Sequence, residues 1–313
     1  MIDLRPVGTS GMEVAPLALG GNVFGWTADE ATSFRLLDAF VDAGGVMVDT
    51  ADVYSAWVPA HEGGESERAI GAWLRRDPAK RAQVVIATKV GFMAGLKPET
   101  IAPTCEESLA RLGVETIDLY YQHKDDQSVP LADSLGAFEE LRRAGKIRAT
   151  GLSNFEPERV EEALVAAHQG GFDAAVAVQG WYNLVERQKY EGPLEDVVTS
   201  RGLAFFSFYS LANGFLTGKY RSRDDLGKSV RGLRNVDYVD SDKGRRVLAA
   251  LDAVAAEAGT ALASVAIAWN KARPGVTAPI ASATAEHQLD ELLAGMTLDL
   301  NPAQLTLLDE ASG

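Results

Sequence analysis

The chain has 313 residues, 46% of them hydrophobic, a net charge of −14 and a sequence pI of about 4.8. This acidic balance argues against a surface for nucleic acid or for an anionic membrane. The length exceeds the usual single core of about 250 residues, but α/β barrels reach it as one domain, so a single domain over residues 1–313 is predicted. The start of the chain lacks a signal-peptide pattern, no apolar run approaches the roughly 20 residues of a membrane span, and one cysteine (Cys105) allows no internal disulfide. A soluble, cytoplasmic protein is expected.

Short apolar or β-branched runs alternate with helical periodicity along the chain. The predicted strands are residues 15–21, 46–50, 83–90, 117–123, 147–154, 174–179, 203–208 and 277–282. Amphipathic patterns such as 29–45 and 131–146 lie between them, and glycines are expected as helix C-caps at Gly44, Gly113, Gly145 and Gly170. Eight strands separated by helices predict a (β/α)8 TIM barrel. A doubly wound sheet is the alternative, but "GGNVFG" after the first strand lacks the G-x-G-x-x-G pattern of that fold.

The connection after the seventh predicted strand, residues 211–244, is long and polar. A connection of this length inside a compact domain is usually a functional loop or a lid. Two helical patterns, 244–259 and 261–275, then precede the last strand, and a terminal helix is predicted at 301–311. The expected architecture is therefore a TIM barrel with a long loop after strand 7 and a C-terminal extra helix.

Polar residues end most of the predicted strands, where the βα loops of a barrel converge. Asp49 ends the second strand, Tyr54 follows in its loop, Lys89 ends the third and His123 ends the fourth. Singly, they can be a turn former, a packing aromatic, a snorkelling lysine and a satisfied core histidine. Together they suit proton transfer from a phenol: the Lys89 ammonium lowers the pKa of Tyr54, Asp49 is the counter-ion of Lys89, and neutral His123 orients a substrate oxygen. Such a site needs a hydride from elsewhere, which a nicotinamide can supply.

These residues, in this order, resemble the aldo-keto reductase family over nearly the whole chain. "DTADVY", "ATK" and "YYQH" coincide with its four catalytic residues, here Asp49, Tyr54, Lys89 and His123. "GLSN" and "VQGWYN" are similar to its nicotinamide-holding motifs. The resemblance implies that Ser153, Asn154 and Gln179 bind the carboxamide of the cofactor.

The resemblance extends to the rest of the cofactor site. "LANGFLTGKY" is similar to the family's pyrophosphate loop, and "PIASATAEHQLDEL" to its final strand–helix turn around the adenosine. Phe208 falls where the family stacks an aromatic ring on the nicotinamide. The further implied cofactor residues are Gly21, Asn22, Tyr209, Ser210, Leu211, Gly214, Leu216, Gly218, Lys219, Arg231, Ala281, Ser282, Thr284, Gln288 and Glu291.

Two departures from the family concern this cofactor site. The long loop lacks the usual proline, and the adenosine end lacks the arginine or lysine that many members place on the 2′-phosphate. Residues 218–234 instead carry six basic and two acidic side chains. We hypothesise that this basic segment steers in and clamps the phosphates, with Arg231 or Arg234 replacing the missing cation; a solvated loop is the alternative. NADP(H) is favoured as the cofactor and NAD(H) remains open.

The expected substrate pocket is aromatic, with Phe24, Trp26, Trp57 and Trp181 as walls, which suits a small aldehyde or ketone. The four histidines show no ligand spacing, so no metal site is predicted. Two alternatives to a carbonyl reductase remain: a Schiff-base barrel aldolase that uses Lys89, and a nicotinamide-binding regulatory subunit with little turnover, because the family includes channel-associated members. The physiological substrate, the reaction direction and the oligomeric state stay open.

Overall fold

A computed structural model describes residues 2–313, and it begins with a hairpin that the sequence analysis missed. Strands β1 (Arg5–Pro6) and β2 (Glu13–Val14) pair antiparallel. The side chains of Val7, Met12 and Val14 are buried in one cluster with the inward-facing residues of the barrel. The hairpin therefore closes the N-terminal end of the barrel with apolar side chains.

Eight parallel strands form a closed barrel, as predicted, and the doubly wound alternative is wrong. Each strand overlaps one of the predicted runs, and the last strand pairs with the first. The strands are β3 (Ala18–Gly20), β4 (Met47–Asp49), β5 (Val85–Val90), β6 (Ile117–Gln122), β7 (Ile147–Ser153), β8 (Ala177–Trp181), β9 (Ala204–Phe208) and β10 (Val276–Ala281). Almost every strand residue is buried, because one face lines the barrel and the other lies under the helices.

Helices follow the strands and surround the barrel. They are α1 (Glu30–Asp42), α2 (Glu65–Arg76), α3 (Pro98–Leu112), α4 (Leu131–Arg143), α5 (Pro157–Gly170), α6 (Pro193–Arg201), α7 (Val236–Asp240), α8 (Asp242–Ala258), α9 (Leu262–Lys271), α10 (Glu286–Thr297) and α11 (Pro302–Ser312). The predicted C-terminal extra helix is α11. Within residues 2–313 no single helix is both long and apolar enough to cross a membrane; α8 and α9 reach that length only as a pair bent by 97°.

Local sequence explains where these helices begin and end. In α1 the Asp29 side chain accepts a hydrogen bond from the backbone N–H of Thr32, a standard N-cap. Gly113 caps α3 in the left-handed conformation, as predicted. Gly170 is a correction: it is still helical, and Gly171 adopts the left-handed conformation at φ +65°. Both neighbouring glycines can adopt the left-handed conformation that ends a helix, and in α5 the second of them does so.

The long connection after β9 is present, but it is not irregular throughout. It contains 3₁₀ turns at Ala212–Thr217, Arg223–Lys228 and Gly232–Asn235, and then the short helix α7. Apolar residues of this segment, such as Phe215 and Tyr220, are buried in one hydrophobic cluster with residues of β8, β9, α8 and α9. The segment is thus a packed cover beside the barrel mouth.

Candidate active site

Strand register brings the predicted acid and amine to the barrel mouth. Asp49 lies opposite Ala87 across β4 and β5, and Lys89 is two residues beyond Ala87. Because side chains alternate along a strand, Asp49 and Lys89 face the same side, the barrel interior. Both side chains are almost completely buried. The sequence predicted these two positions, and the register explains why they meet.

The Lys89 ammonium donates hydrogen bonds to Asp49, to Tyr54 and to the backbone carbonyl of Thr50. Its Nζ donates to Asp49 Oδ2 at 2.7 Å, to the carbonyl oxygen of Thr50 at 2.7 Å and to the Tyr54 hydroxyl oxygen at 3.2 Å. An ammonium has three N–H donors, so all of them have acceptors. Since the phenolic oxygen of Tyr54 accepts from Lys89, its own proton is available for another acceptor.

Gln179 has a contact that the sequence analysis did not foresee. Its Nε2 donates to Asp49 Oδ1 at 2.8 Å, from the opposite side of the carboxylate to Lys89. The side chain assigned to the cofactor carboxamide thus also fixes the carboxylate. Its place at a strand end signalled that it belongs to the mouth, but only coordinates show which partner it takes.

We call Asp49, Tyr54, Lys89 and His123 the tetrad. Among these four residues, the pKa of Tyr54 departs from the expected direction. Burial raises the pKa of Tyr54, and the Lys89 ammonium offsets this only in part, so the expected lowered pKa is wrong for this structure. Burial lowers the pKa of Lys89, but the Asp49 carboxylate and the Tyr54 hydroxyl together more than offset it, and the net shift is upward. At neutral pH the pair is therefore a protonated phenol beside a protonated amine.

His123 lies beside Tyr54, with its ring centroid 6.0 Å from that of the phenol and 4.9 Å from that of Phe92. Burial moves the pKa of His123 well below its ordinary value, and the nearby Lys89 charge lowers it further. Its Nδ1 is buried without a hydrogen-bond partner among the described residues. The imidazole is thus neutral at physiological pH, the form that the predicted role requires.

The predicted nicotinamide residues line the mouth next to this tetrad. Asn154 Nδ2 donates to the His123 carbonyl oxygen at 2.9 Å and to Ser153 Oγ at 3.0 Å, and no described residue donates to its amide oxygen. Phe208 is half-buried, with the Trp181 ring at 6.4 Å and the Tyr209 ring at 5.3 Å. A free amide oxygen and a partly open aromatic ring fit a carboxamide on a planar ring.

The predicted pyrophosphate loop offers mainly its backbone and one cation. Gly214 and Gly218 have positive φ values of 92° and 78°. A Cβ at Gly214 would lie 2.8 Å from Lys219 Cε, so glycine lets this lysine fold across the loop. The Ser210 hydroxyl donates to a β9 carbonyl and Leu216 is buried in the core. These two side chains face away, which leaves their backbone as the only possible contact.

At the predicted adenosine end, the residues bond to one another. Ser282 Oγ donates to Asn22 Oδ1 at 2.7 Å, and Gln288 Oε1 accepts from the Thr284 backbone N–H and hydroxyl at 2.9 and 3.1 Å. Glu291 is half-buried. Among residues 2–313 no arginine or lysine bonds to the side chains of these five residues. In the same turn Arg35 of α1 pairs with Glu286 at 2.7 Å, so this arginine is already held by a carboxylate.

Gly21 owes its identity to packing below the mouth. Ser66 lies in the first turn of α2, whose N-cap is Gly64. The Ser66 hydroxyl donates to the Gly21 carbonyl at 2.8 Å and accepts from the Thr50 hydroxyl at 2.7 Å. A Cβ at Gly21 would lie 2.7 Å from Ser66 Oγ. This contact explains the glycine without a ligand.

Three of the four predicted aromatic residues stand at the mouth. Trp57 is 46% exposed, and its ring lies 5.7 Å from Tyr54 and 5.6 Å from Trp26. Trp181 is half-buried beside Phe208. Phe24 is a correction: it is fully buried in the hydrophobic core, because its side chain points into the layer between barrel and helices, so it lines no open pocket.

The basic segment is divided by the structure. Arg221, Arg223 and Lys228 form ion pairs with Asp252, Asp240 and Asp225 at 2.7, 2.6 and 2.7 Å. Lys219, Arg231 and Arg234 form no ion pair with the described residues. The Arg231 guanidinium carbon lies 5.5 Å from the centre of the Trp26 ring, on the pocket side of the segment.

A buried polar layer behind the tetrad was not foreseen from the sequence. Glu67 of α2 accepts from the Thr88 hydroxyl and from Arg111 Nε, both at 2.6 Å. Asp52, in the loop that carries Tyr54, has one carboxylate oxygen buried without a partner. Burial, and then the Glu67 charge, raise the pKa of Asp52 to about 7. The described part of the chain holds no group of three or more potential metal ligands.

Comparison with known proteins shows which family and which individual proteins this chain resembles. The sequence model of the aldo/keto reductase family matches residues 16–312. "Uncharacterized oxidoreductase YrpG" of Bacillus subtilis (strain 168) is 32% identical over 97% of this chain and 94% of its own. "Probable voltage-gated potassium channel subunit beta" of Oryza sativa subsp. japonica is 30% identical over 93% and 90%. "L-glyceraldehyde 3-phosphate reductase" of Escherichia coli O157:H7 is 27% identical over 99% and 92%.

Proposed function

Because the chain belongs to the aldo/keto reductase family of oxidoreductases, we propose that it reduces an aldehyde or ketone to an alcohol with NADP(H). Tyr54 is the proposed proton donor, Lys89 and Asp49 support it, and His123 orients the carbonyl oxygen. The observation that carries this proposal is the position of Lys89 Nζ, within hydrogen-bond distance of both Asp49 and the Tyr54 hydroxyl.

The proposed proton transfer follows from these contacts. A carbonyl oxygen in the mouth accepts a hydrogen bond from Tyr54, whose phenolic oxygen already accepts one from Lys89. As hydride reaches the carbonyl carbon, the oxygen becomes an alkoxide and takes the Tyr54 proton, which leaves a phenolate. The Lys89 ammonium stabilises this phenolate, and Asp49 keeps the amine protonated. A bound reduced nicotinamide supplies the hydride.

His123 contributes orientation rather than charge in this proposal. Since burial and Lys89 keep its pKa low, the imidazole is neutral and offers one N–H donor and one acceptor nitrogen. A neutral donor aimed at the carbonyl oxygen strengthens as negative charge develops there. The Phe92 ring lies 4.9 Å from the His123 ring and the Trp57 ring 5.7 Å from the Tyr54 ring, so aromatic side chains flank this point.

The described residues fit a nicotinamide dinucleotide. Asn154 has a free amide oxygen, Phe208 has a partly open ring, and Lys219 has no carboxylate partner for its ammonium. We favour NADP(H) because Arg234 of the basic segment, one of the two arginines expected to take the 2′-phosphate, forms no ion pair with the described residues; Thr284 and Gln288 supply no cation, so NAD(H) stays open.

Two alternatives make different demands on the same site. A Schiff-base aldolase needs an unprotonated Lys89 free of a charged partner, and the Asp49 ion pair disfavours this; borohydride trapping with substrate tests it. A nicotinamide-sensing subunit is favoured by the plant relatives whose names describe potassium channel β subunits. Bound NADPH that no carbonyl compound oxidises would support that alternative.

The deciding experiment combines cofactor titration with one matched pair of variants. NADPH and NADH affinities are measured by fluorescence, and a panel of aldehydes and ketones is followed at the nicotinamide absorbance. Tyr54→Phe is expected to lower kcat/KM by about 10²- to 10⁴-fold without changing cofactor affinity. Tyr190→Phe, which removes a hydroxyl that bonds the Pro274 carbonyl in the outer shell, is expected to keep its activity. Full activity of Tyr54→Phe would refute the proposal.

A further inference from the structure

A compact loop, residues 52–63, carries the proposed proton donor near its start, and we call it the Tyr54 loop. Its two ends lie close together, because a Cβ at Gly63 would lie only 2.9 Å from the Asp52 carbonyl oxygen. Between the ends the backbone turns on itself; for example, the Ala56 N–H donates to the Val53 carbonyl oxygen at 2.8 Å. Compact loops whose ends meet in this way frequently carry function.

The backbone of the Tyr54 loop is strained close to its end. Ala60 has φ +72°, a left-handed conformation that is unfavourable for a residue with a Cβ. Gly63 and Gly64 follow at φ +100° and +77°. A strained conformation of this kind persists only where the surrounding structure holds it. The loop therefore depends on its contacts with the rest of the chain.

Glu65, the first residue of α2, makes these contacts. Its Oε2 accepts from the backbone N–H of Ser55 at 3.2 Å and of Gly63 at 3.1 Å, and its Oε1 accepts from the backbone N–H of Glu62 at 3.1 Å. Arg68 Nη2 donates to Glu65 Oε1 at 2.9 Å and to the Gly63 carbonyl oxygen at 2.8 Å. One carboxylate thus joins the beginning of the loop to its end.

Few other polar contacts hold this stretch of chain. Among residues 2–313, only Glu65 and Arg68 hydrogen-bond to residues 55–63 from outside that range. The Ser55 hydroxyl and His61 Nδ1 are buried without a partner among the same residues. The polar attachment of the loop beyond Tyr54 therefore rests on the start of α2.

Glu65 is itself fixed in place and charged. Its side chain is only 16% exposed, and a Cβ at Gly25, in the loop after β3, would lie 3.0 Å from Glu65 Cβ. Burial raises the pKa of Glu65, but backbone N–H groups, including those of Ser55 and Glu62, and the Arg68 charge more than offset it, and the net shift is downward. The group is a carboxylate at neutral pH and accepts charge-assisted hydrogen bonds.

These contacts bear on the phenol through the backbone. The Ser55 N–H that Glu65 accepts belongs to the peptide joining Tyr54 to Ser55. At the far end of the Tyr54 side chain, the hydroxyl accepts from Lys89 Nζ at 3.2 Å. The phenol is thus held by the loop backbone at one end and by the ammonium at the other. A shift of the loop would break the contact with Lys89.

We propose that Glu65 is a positioning residue of the proposed reaction: by fixing the Tyr54 loop to α2, it holds the Tyr54 hydroxyl at Lys89 and at the substrate oxygen. This inference rests on the proposed function. Glu65 bonds to the backbone of the loop and to neither the phenol nor Lys89, so it acts through Tyr54. Proton transfer depends steeply on placement, and a displacement of about 1 Å can cost about 10²-fold in rate.

The test is a double-mutant cycle between Glu65 and Tyr54, run with an aldehyde or ketone that the parent reduces. Glu65→Ala is expected to lower kcat by about 10- to 100-fold and to leave NADPH affinity unchanged. In the Tyr54→Phe background, the same substitution is expected to cost less than about twofold, because the hydroxyl that it positions is gone. A merely structural role would lower the activity by the same factor in both backgrounds.

Two further variants sharpen the cycle. Glu65→Gln keeps a carbonyl oxygen that can accept from Ser55 and Gly63, so it is expected to retain more activity than Glu65→Ala, and it replaces that variant in the cycle if Glu65→Ala does not fold. Glu158→Ala is the matched control: Glu158 also lies in the first turn of a helix, α5, but its side chain is exposed. This control is expected to keep its activity in both backgrounds.

Hydrogen exchange gives a measurement that does not depend on turnover. In Glu65→Ala the backbone amides of Ser55, Glu62 and Gly63 lose their acceptor and are expected to exchange faster, whereas amides of the barrel strands keep the parent rates. Unchanged rates in the strands also show that the variant is folded.

Several results would overturn the inference and leave the proposed function standing. They are a parent-like kcat in Glu65→Ala, an equal loss in the Tyr54→Phe background, a loss explained by weaker NADPH binding, and unchanged exchange of the three loop amides. Failure of the parent to reduce any carbonyl compound with NADPH or NADH would overturn the proposed function and this inference with it.

Discussion

Replacing Lys89 separates the stability of the tetrad from its chemistry. Lys89→Met keeps the side-chain length but removes the ammonium, which leaves Asp49 buried with the Gln179 amide as its remaining side-chain partner. Removing one member of a buried ion pair costs about 3–5 kcal/mol, because the remaining charge has lost its counter-ion without regaining water. We expect a decrease of this size in the free energy of unfolding.

The double variant Lys89→Met/Asp49→Asn removes both charges. An asparagine can still accept from the Gln179 amide, so we expect the free energy of unfolding to recover most of the loss. Activity is not expected to recover, because nothing then stabilises a phenolate at Tyr54. Both variants should remain about 10²- to 10⁴-fold below the parent in kcat/KM.

Urea unfolding followed by circular dichroism gives the stability, and nicotinamide absorbance gives the activity. Lys271→Met is the matched control: this lysine is also buried, but its carboxylate partner Asp299 is exposed to water, so a loss of only about 1 kcal/mol is expected. The reasoning is refuted if the double variant is as unstable as Lys89→Met, or if its activity returns with its stability.

Three further predictions concern pH and packing. Asp52→Asn is expected to match the parent near pH 4 and to be up to about 4 kcal/mol more stable above pH 8, as measured by thermal unfolding at both pH values. Burial and the Glu67 charge raise the pKa of the Asp52 carboxyl to about 7 in the folded protein. The parent therefore loses stability as the pH rises from the unfolded pKa of about 4 through that value. The pH profile of kcat/KM is expected to show no inflection near pH 6.5 from His123, because burial lowers its pKa well below that ordinary value. Gly71→Ala is expected to lower the free energy of unfolding by about 1–3 kcal/mol, since its Cβ would lie 2.2 Å from a backbone oxygen, whereas Gly136→Ala, whose Cβ meets nothing within 3.5 Å, should raise it by about 0.5–1 kcal/mol.

Each of these has a contrary result. An Asp52→Asn variant with the same stability difference at both pH values would mean that this carboxyl does not titrate between them. An inflection near pH 6.5 that His123→Asn removes would mean that the imidazole becomes charged in the working range. Similar destabilisation by the two glycine substitutions would contradict the difference in the space around Gly71 and Gly136.

The barrel and its tetrad were predictable because each rests on a local pattern. Strands buried on both faces show as short apolar runs, and a polar residue at the end of such a run is conspicuous. Asp49, Lys89 and His123 were visible for this reason, and a parallel barrel gathers all strand ends on one side. Burial of the phenol was not visible, so the direction of the Tyr54 pKa shift was missed.

Features that depend on distant parts of the chain were not predictable. The pairing of Gln179 with Asp49 crosses the barrel, and the position of Arg231 depends on how the long segment folds back over Trp26. The N-terminal hairpin has strands of two residues, too short for a periodic signal. It is held by Arg5, whose guanidinium donates to carbonyl oxygens near the start of β10.

The hairpin at the N-terminal end has a kinetic consequence. With Val7 and Val14 closing that end, the barrel opens at its other end, where the proposed dinucleotide and the proposed carbonyl compound would both have to enter. The partner that lies deeper has to enter first and leave last. The product released last should therefore inhibit competitively against the reactant that binds first and in a mixed manner against the other reactant. The product released first should give mixed inhibition against both reactants, the signature of a compulsory order.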